Sequence, residues 1–265
     1  FVANDKAWEE FFRKNAELPE TNPWHTATSY ENLSVSQKKL LIHTSMLNNA
    51  IVMENLSSSS SDITSRGDFM RRYTDMEVTD SITFLPADQL PINYNKDNEE
   101  KDYWARFRGG EAMHNGIYLV TDSSLSMMLH FTNEHLTKNN VTDEDFALFM
   151  GRERKTGDVH IYDALLEKKD QVAENGYVNV TEKVLTPLPN MAERLRTNGK
   201  TNIFSHIIDR WSAPFYNRSV TEAYKNLMAA RGIEWKDSIF TKRYFSSKSY
   251  GHTALNKDPQ GQTFT

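Results

Sequence analysis

The chain contains no cysteine. That excludes a disulfide framework, a thiolate nucleophile and a cysteine-based zinc site. It also lacks an excess of positive charge. The formal net charge is −5, which argues against broad nucleic-acid binding, because neutralising phosphates takes a Lys/Arg-rich face. Basic clusters such as "RGDFMRR", residues 66–72, are too short to reverse that balance. No apolar run approaches the roughly 20 residues of a membrane-spanning helix. The chain opens on Phe1 without a charged and apolar leader, from which we expect a start inside a longer precursor.

Signatures of catalysis are missing as well. There is no Gly-x-Ser-x-Gly elbow, no Gly-rich phosphate loop and no His-Glu-x-x-His run. His130 and His135 are five residues apart rather than the four that would align a metal pair on a helix. The acidic "TDEDF", residues 142–146, lacks the glycine and spaced oxygen ligands of a calcium loop. The expectation is therefore a chain with no catalytic residues, no metal and no cofactor.

What the chain does contain is material for a core. Its mean hydropathy of −0.66 is low, yet 14 Phe, 11 Tyr and 5 Trp supply large units for burial. Trp24, Trp104 and Trp235 sit among polar residues, where they would either pack or stack on sugar rings. Five Asn-x-Ser/Thr sequons, at Asn32, Asn55, Asn140, Asn179 and Asn217, are what chance gives in a chain rich in Asn, Ser and Thr.

The periodicities alternate between strand and helix. "FVANDKAWEEFFRKN" reads as a strand end followed by a helix capped by Asn4 or Asp5, with Ala7, Trp8, Phe11 and Phe12 on its core face. "SYENLSVSQKKLLIHTSML" suits one or two short helices. The serine run 57–61 has nothing to bury and reads as a flexible loop. "SITFL" and "GIYLVTD" are β-rich runs separated by a charged insertion at 95–102, expected to be a solvated loop. "NNVTDEDFALFMG" is a helix capped by Thr142 and stopped by Gly151. "DVHIYDALL" and "GYVNVTEKVL" alternate as half-buried strands, the second with Val178, Val180 and Val184 facing inward and Tyr177, Asn179, Thr181 and Lys183 on the other face. After Pro187 and Pro189 the pattern turns helical, which places a boundary near residue 188.

Three of these segments carry a resemblance. "FVANDKAWEEFF" is similar to the opening motif of fasciclin domains, "LLIHTSM" sits where that family has its leucine-rich Tyr-His segment, and "ENGYVNVTEKVLTP" resembles the family's closing motif. The ordered set covers residues 1–187, with surplus length around 93–112 and 122–157 that fits insertions. The resemblance implies an α+β fold: a fasciclin-like β-sandwich or wedge with flanking helices over residues 1–188, then the helical start of a second such domain over 189–265. In the family the strand of the closing motif lies beside the opening strand. "TNIFSHIIDRWSAPF", following the first closing motif, looks like the tandem fasciclin domains of bacterial surface lipoproteins. The implied location is the outer face of the outer membrane, reached through a lipid anchor upstream of this chain and by no other membrane contact.

The family resemblance implies a non-enzymatic adhesion protein that takes a protein or glycan ligand at the cell surface and no nucleic acid. The alternative is a carbohydrate-binding accessory lipoprotein for polysaccharide capture. Candidate ligand-binding residues are Arg66, Gly67 and Asp68, a tripeptide that animal integrins read, and His43, where Ile42-His43 replaces the Tyr-His pair of integrin-binding relatives. Chance supplies a given tripeptide in roughly a few per cent of chains this long. The ligand's identity and the oligomeric state stay open at this point.

Overall fold

The computed structural model describes residues 1–20, 22–60, 62–92, 103–108, 115–120 and 127–244. The expected insertion loop at 95–102, and much of the segment 93–112, lie outside the described residues. Among these residues the protein is an α+β molecule with seven α-helices and two mixed sheets. It divides into two compact units, one made of residues 1–77 and 125–188 and the other of 78–124 and 189–265. Residues 78–124, which the sequence reading placed within the first domain, thus cluster with the C-terminal part of the chain.

The first unit carries a six-stranded sheet in the order β1-β8-β7-β6-β5-β2. Its strands are β1 (Val2–Ala3), β2 (Arg71–Tyr73), β5 (Met127–Phe131), β6 (His160–Ile161), β7 (Ala164–Ala173) and β8 (Gly176–Thr181). Only β1 and β8 pair in parallel, with Val2 opposite Val180, so the closing strand does lie beside the opening one. Met53, Leu56, Met128, Ile161, Leu166 and Leu185 fill the core under this sheet.

Four helices accompany it: α1 (Asp5–Asn15), α2 (Val35–Thr44), α3 (Asn133–Lys138) and α4 (Asp143–Met150). Each begins where a short polar side chain satisfies an otherwise orphaned amide. Asn4 accepts from the Ala7 N–H at 2.7 Å, and Thr132 accepts from that of His135 at 3.2 Å. Ser34 with Gln37, and Thr142 with Asp145, form reciprocal capping boxes. Gly151 ends α4 in the left-handed region at φ +67°. The aromatic face of α1 packs against Trp24, Ala27, Leu33 and Leu41, as its spacing predicts.

Three sequence expectations need correction. The run "DVHIYDALL" is not one strand. Tyr162 sits at φ +51°, and the chain folds there into a tight hairpin between β6 and β7. The faces of β8 are also reversed. Asn179 and Thr181 are buried while Val178 is 37 % exposed. The reason lies in local hydrogen bonds. Asp170, in the irregular middle of β7 at φ +51°, donates its N–H to Asn179 Oδ1 at 2.8 Å, and Thr181 Oγ1 donates to the Lys183 carbonyl at 2.9 Å. The inward polar atoms are thus satisfied, which removes the penalty that would have turned the face around. The third correction concerns the serine run. Ser57 and Ser58 are buried rather than loose, for reasons given below, and Ser61 lies outside the described residues.

The second unit holds a four-stranded sheet, β3-β4-β10-β9, of Ile82–Pro86, Gly116–Val120, Ile239–Tyr244 and Ser212–Tyr216. Its helices are α5 (Met191–Thr197), α6 (Asn202–Asp209) and α7 (Arg218–Ala229). Trp104 is fully buried against Leu90, Ile117, Leu119 and Phe240, and its indole N–H donates to the Ser212 carbonyl at 3.0 Å. Lys242 is bonded to Asp209, and burial lowers its ammonium pKa to about 8.

Candidate binding surface

The structure brings Arg66, Gly67 and Asp68 into one turn that is bolted onto α3. Its construction starts from Ser57. The buried Ser57 Oγ accepts from the Gly67 N–H at 3.2 Å and from the Thr132 hydroxyl at 3.0 Å, linking the loop to the cap of α3. The Ser57 carbonyl accepts from the Phe69 N–H at 3.0 Å. Arg72 closes the loop from below, donating to the carbonyls of Leu56 at 2.7 Å, Asn55 at 3.1 Å and Ser58. A serine-rich stretch is polar enough to look loose, but here the hydroxyls of Ser57, Ser59 and Ser65 are tied into the fold, while that of Ser58 is buried without a partner.

Gly67 is the tightest point. Its φ of +84° lies in the region that favours glycine, and a Cβ there would stand 2.6 Å from the Glu134 carbonyl oxygen. Its own carbonyl accepts from His135 Nδ1 at 2.8 Å. The flanking charges are paired within the fold. The Arg66 guanidinium meets Glu54 at 2.6 Å. Asp68 accepts from Lys138 Nζ at 2.5 Å and from the Ser59 hydroxyl at 2.6 Å. Lys138, and then Ser59, hold the Asp68 carboxyl below its ordinary value. The tripeptide is therefore a fixed turn with both side chains engaged, not an extended loop offering them to a partner.

His43 stands elsewhere, half-buried in the last turn of α2. Beyond α2, the Met46 carbonyl accepts from the Asp75 N–H at 2.9 Å, so the chain leaving that helix runs beside the end of β2.

Directly after the turn comes β2, the outermost strand of its sheet among the described residues. The His130 N–H donates to the Met70 carbonyl at 2.8 Å, and Arg71 and Tyr73 face Leu129 and Met127. In an antiparallel pair, bonded and non-bonded positions alternate, so the N–H and C=O of Arg71 and Tyr73 point away from β5. The period of two also puts Phe69, Arg71 and Tyr73 on one face, and all three are exposed, Phe69 by 45 % and Tyr73 by 59 %. Ile63, 68 % exposed, caps the same loop. An open edge with alternating aromatic, cationic and aromatic side chains can add an extended peptide as a further strand.

Sequence reasoning took "RGDFMRR" as a basic cluster and missed this edge, although the alternation Phe69, Arg71, Tyr73 is legible once a strand is assumed. The burial of two histidines on the neighbouring strands β5 and β6 was not read either. His130 on β5 and His160 on β6 are fully buried, and neither ring has a hydrogen-bond partner. The backbone of Phe69 and Met128 faces the His130 ring without meeting hydrogen-bond geometry. Burial first, then Arg72 for His130 and Arg152 for His160, lowers both imidazoles to about 4.

The three tryptophans that the sequence singled out have packing partners. Trp24 packs on Phe11, Trp104 is buried, and Trp235 lies edge-on between Tyr118 and Tyr224. Among the described residues no three His, Asp or Glu side chains gather as a metal would require, and no helix is long and apolar enough to cross a membrane. No protein-family model, curated protein or solved structure matches this chain, so the geometry of this surface is the ground for its functional reading.

Proposed function

We propose that the protein is a non-enzymatic binding protein of a bacterial cell surface, of adhesion type, that grips a protein ligand along the edge of β2 beside the rigid 66–68 turn. The observation that carries this reading is the open backbone at Arg71 and Tyr73, flanked by the exposed rings of Phe69 and Tyr73. Backbone hydrogen bonds would supply affinity and the alternating side chains selectivity. The fixed turn limits the ordering cost of binding. The fasciclin-type architecture is part of the same proposal. Three motifs in family order and the parallel pairing of β1 with β8 support it; the anchored, exported setting that such domains occupy is proposed with it.

The test is binding of the intact protein to an array of host matrix proteins and polysaccharides, beside two variants. We expect protein ligands to bind, the double variant Phe69→Ser/Tyr73→Ser to lose at least tenfold, and Asp68→Glu to change little. Loss with Asp68→Glu alone would mean that the tripeptide itself is read and would sink the edge-strand reading. Binding confined to polysaccharides would make the protein a glycan-capture module, and measurable turnover of a glycoside or ester would make it an enzyme.

A further inference from the structure

In the second unit α6 is mounted inside out. Its spacing is that of an amphipathic helix, yet the residue turned into the protein is Ser205, and Asp209 reaches inward to Lys242. The apolar stripe points outward: Ile203 is 79 % exposed, Phe204 53 % and Ile207 50 %, and Trp211 continues it one turn on. On neighbouring α5, Met191 is exposed as well. A single exposed leucine or valine is ordinary on a protein surface. A continuous stripe held out by its own polar anchoring is a contact surface.

The charge around the stripe narrows what it contacts. Between Asn190 and Trp211 there are four cations, Arg194, Arg196, Lys200 and Arg210, against Glu193 and Asp209; Arg196 is held on Asp209 and Tyr244 beside Lys242, so Arg194 and Lys200 make the margin. Arg194 and Lys200 are exposed. This is a basic margin in a chain whose net charge is −5. A second copy of the protein meeting face to face would bring two net-basic margins together, which like charges oppose. An anionic lipid surface accepts every part of the arrangement. Acyl chains take Ile203 and Ile207, the headgroup boundary takes the aromatic rings of Phe204 and Trp211, and phosphates take Arg194 and Lys200.

We propose that the outward face of α6, with the cations at its margin, is a docking face for an anionic lipid surface. It lies on the second unit, and the proposal stands or falls independently of the ligand taken at β2. The experiment is co-sedimentation of the full chain with vesicles of phosphatidylcholine alone and of phosphatidylcholine with phosphatidylglycerol, with tryptophan emission and sedimentation velocity recorded in parallel. We expect at least tenfold stronger partitioning onto the anionic vesicles, with emission shifted to the blue and binding weakened by salt. The double variant Ile203→Gln/Ile207→Gln loses at least tenfold with an unchanged thermal midpoint. Lys200→Glu loses roughly tenfold on anionic vesicles alone. Absence of binding to either vesicle would overturn the proposal, and so would binding that neither variant weakens. Self-association or capture of an acidic protein, abolished by Ile203→Gln/Ile207→Gln without any vesicle binding, would overturn it in favour of a protein contact.

Discussion

The loop from Ser57 to Asp68 and the helix α6 invert each other. The loop is serine-rich and charged, and it is partly buried and held on α3 by hydrogen bonds through Ser57. The helix carries Ile203, Phe204 and Ile207, and it shows them to solvent. Polarity alone assigns both to the wrong side. What decides is where partners are. A hydroxyl that accepts from Gly67 and Thr132 costs little to bury, and an apolar stripe faces out when the opposite side of its helix carries the charge that Lys242 requires.

The largest effect that would sharpen this contrast comes from the polar groups in the first unit that have no partner. His130 and His160 sit at about 4 when folded, against about 6.5 in an unfolded chain. Between those values the unfolded chain binds more protons, so stability rises with pH across the window. It is fully present above about pH 6.5 and is lost as pH falls toward 4, by up to about 3 kcal/mol for each imidazole. Below 4 these two groups add no further loss. Urea unfolding at pH 7 and at pH 4.5 measures the drop. His130→Leu and His160→Leu should flatten it, whereas an unchanged slope would show that the rings are solvated.

Next in size is Gly67→Ala. The substitution combines a left-handed backbone with a Cβ 2.6 Å from the Glu134 carbonyl, which costs about 3 kcal/mol and shows as a lower urea midpoint. Ser57→Ala follows, at about 1–2 kcal/mol, because it strips the buried acceptor shared by Gly67 and Thr132. Ile203→Gln in α6 is expected to move stability by less than about 0.5 kcal/mol, as a substitution on a solvent face does. A loss of several kcal/mol there would mean that the stripe is core after all. Asp68→Glu, at an exposed ion pair, should leave the thermal midpoint unmoved.

Much of the fold was legible because it was written in local signals. Asn4, Thr142 and Gly151 cap or stop their helices where the sequence indicates, and the aromatic spacing of α1 marks its packed face. What escaped was set by which groups the folded chain brings together. Val178 and Val180 looked inward until Asp170 claimed Asn179, and residues 78–124 joined the C-terminal unit through β4, which pairs with β10. The Arg66–Asp68 tripeptide was visible as letters, but its engagement by Glu54, Ser59 and Lys138 was not, since it depends on how the loop folds back on itself and docks on α3. The open edge at β2 depended on knowing which strand ends the sheet.

The most direct test of the account is amide hydrogen exchange, resolved by residue, across the 57–73 segment. If the turn is a preformed part of the surface, the amides of Gly67 and Phe69 exchange as slowly as those of β7 and β8, while Arg71 and Tyr73 exchange fast at the open edge. Fast exchange at Gly67 and Phe69 would return the tripeptide to a loose loop and contradict the rigid surface on which the proposed function rests.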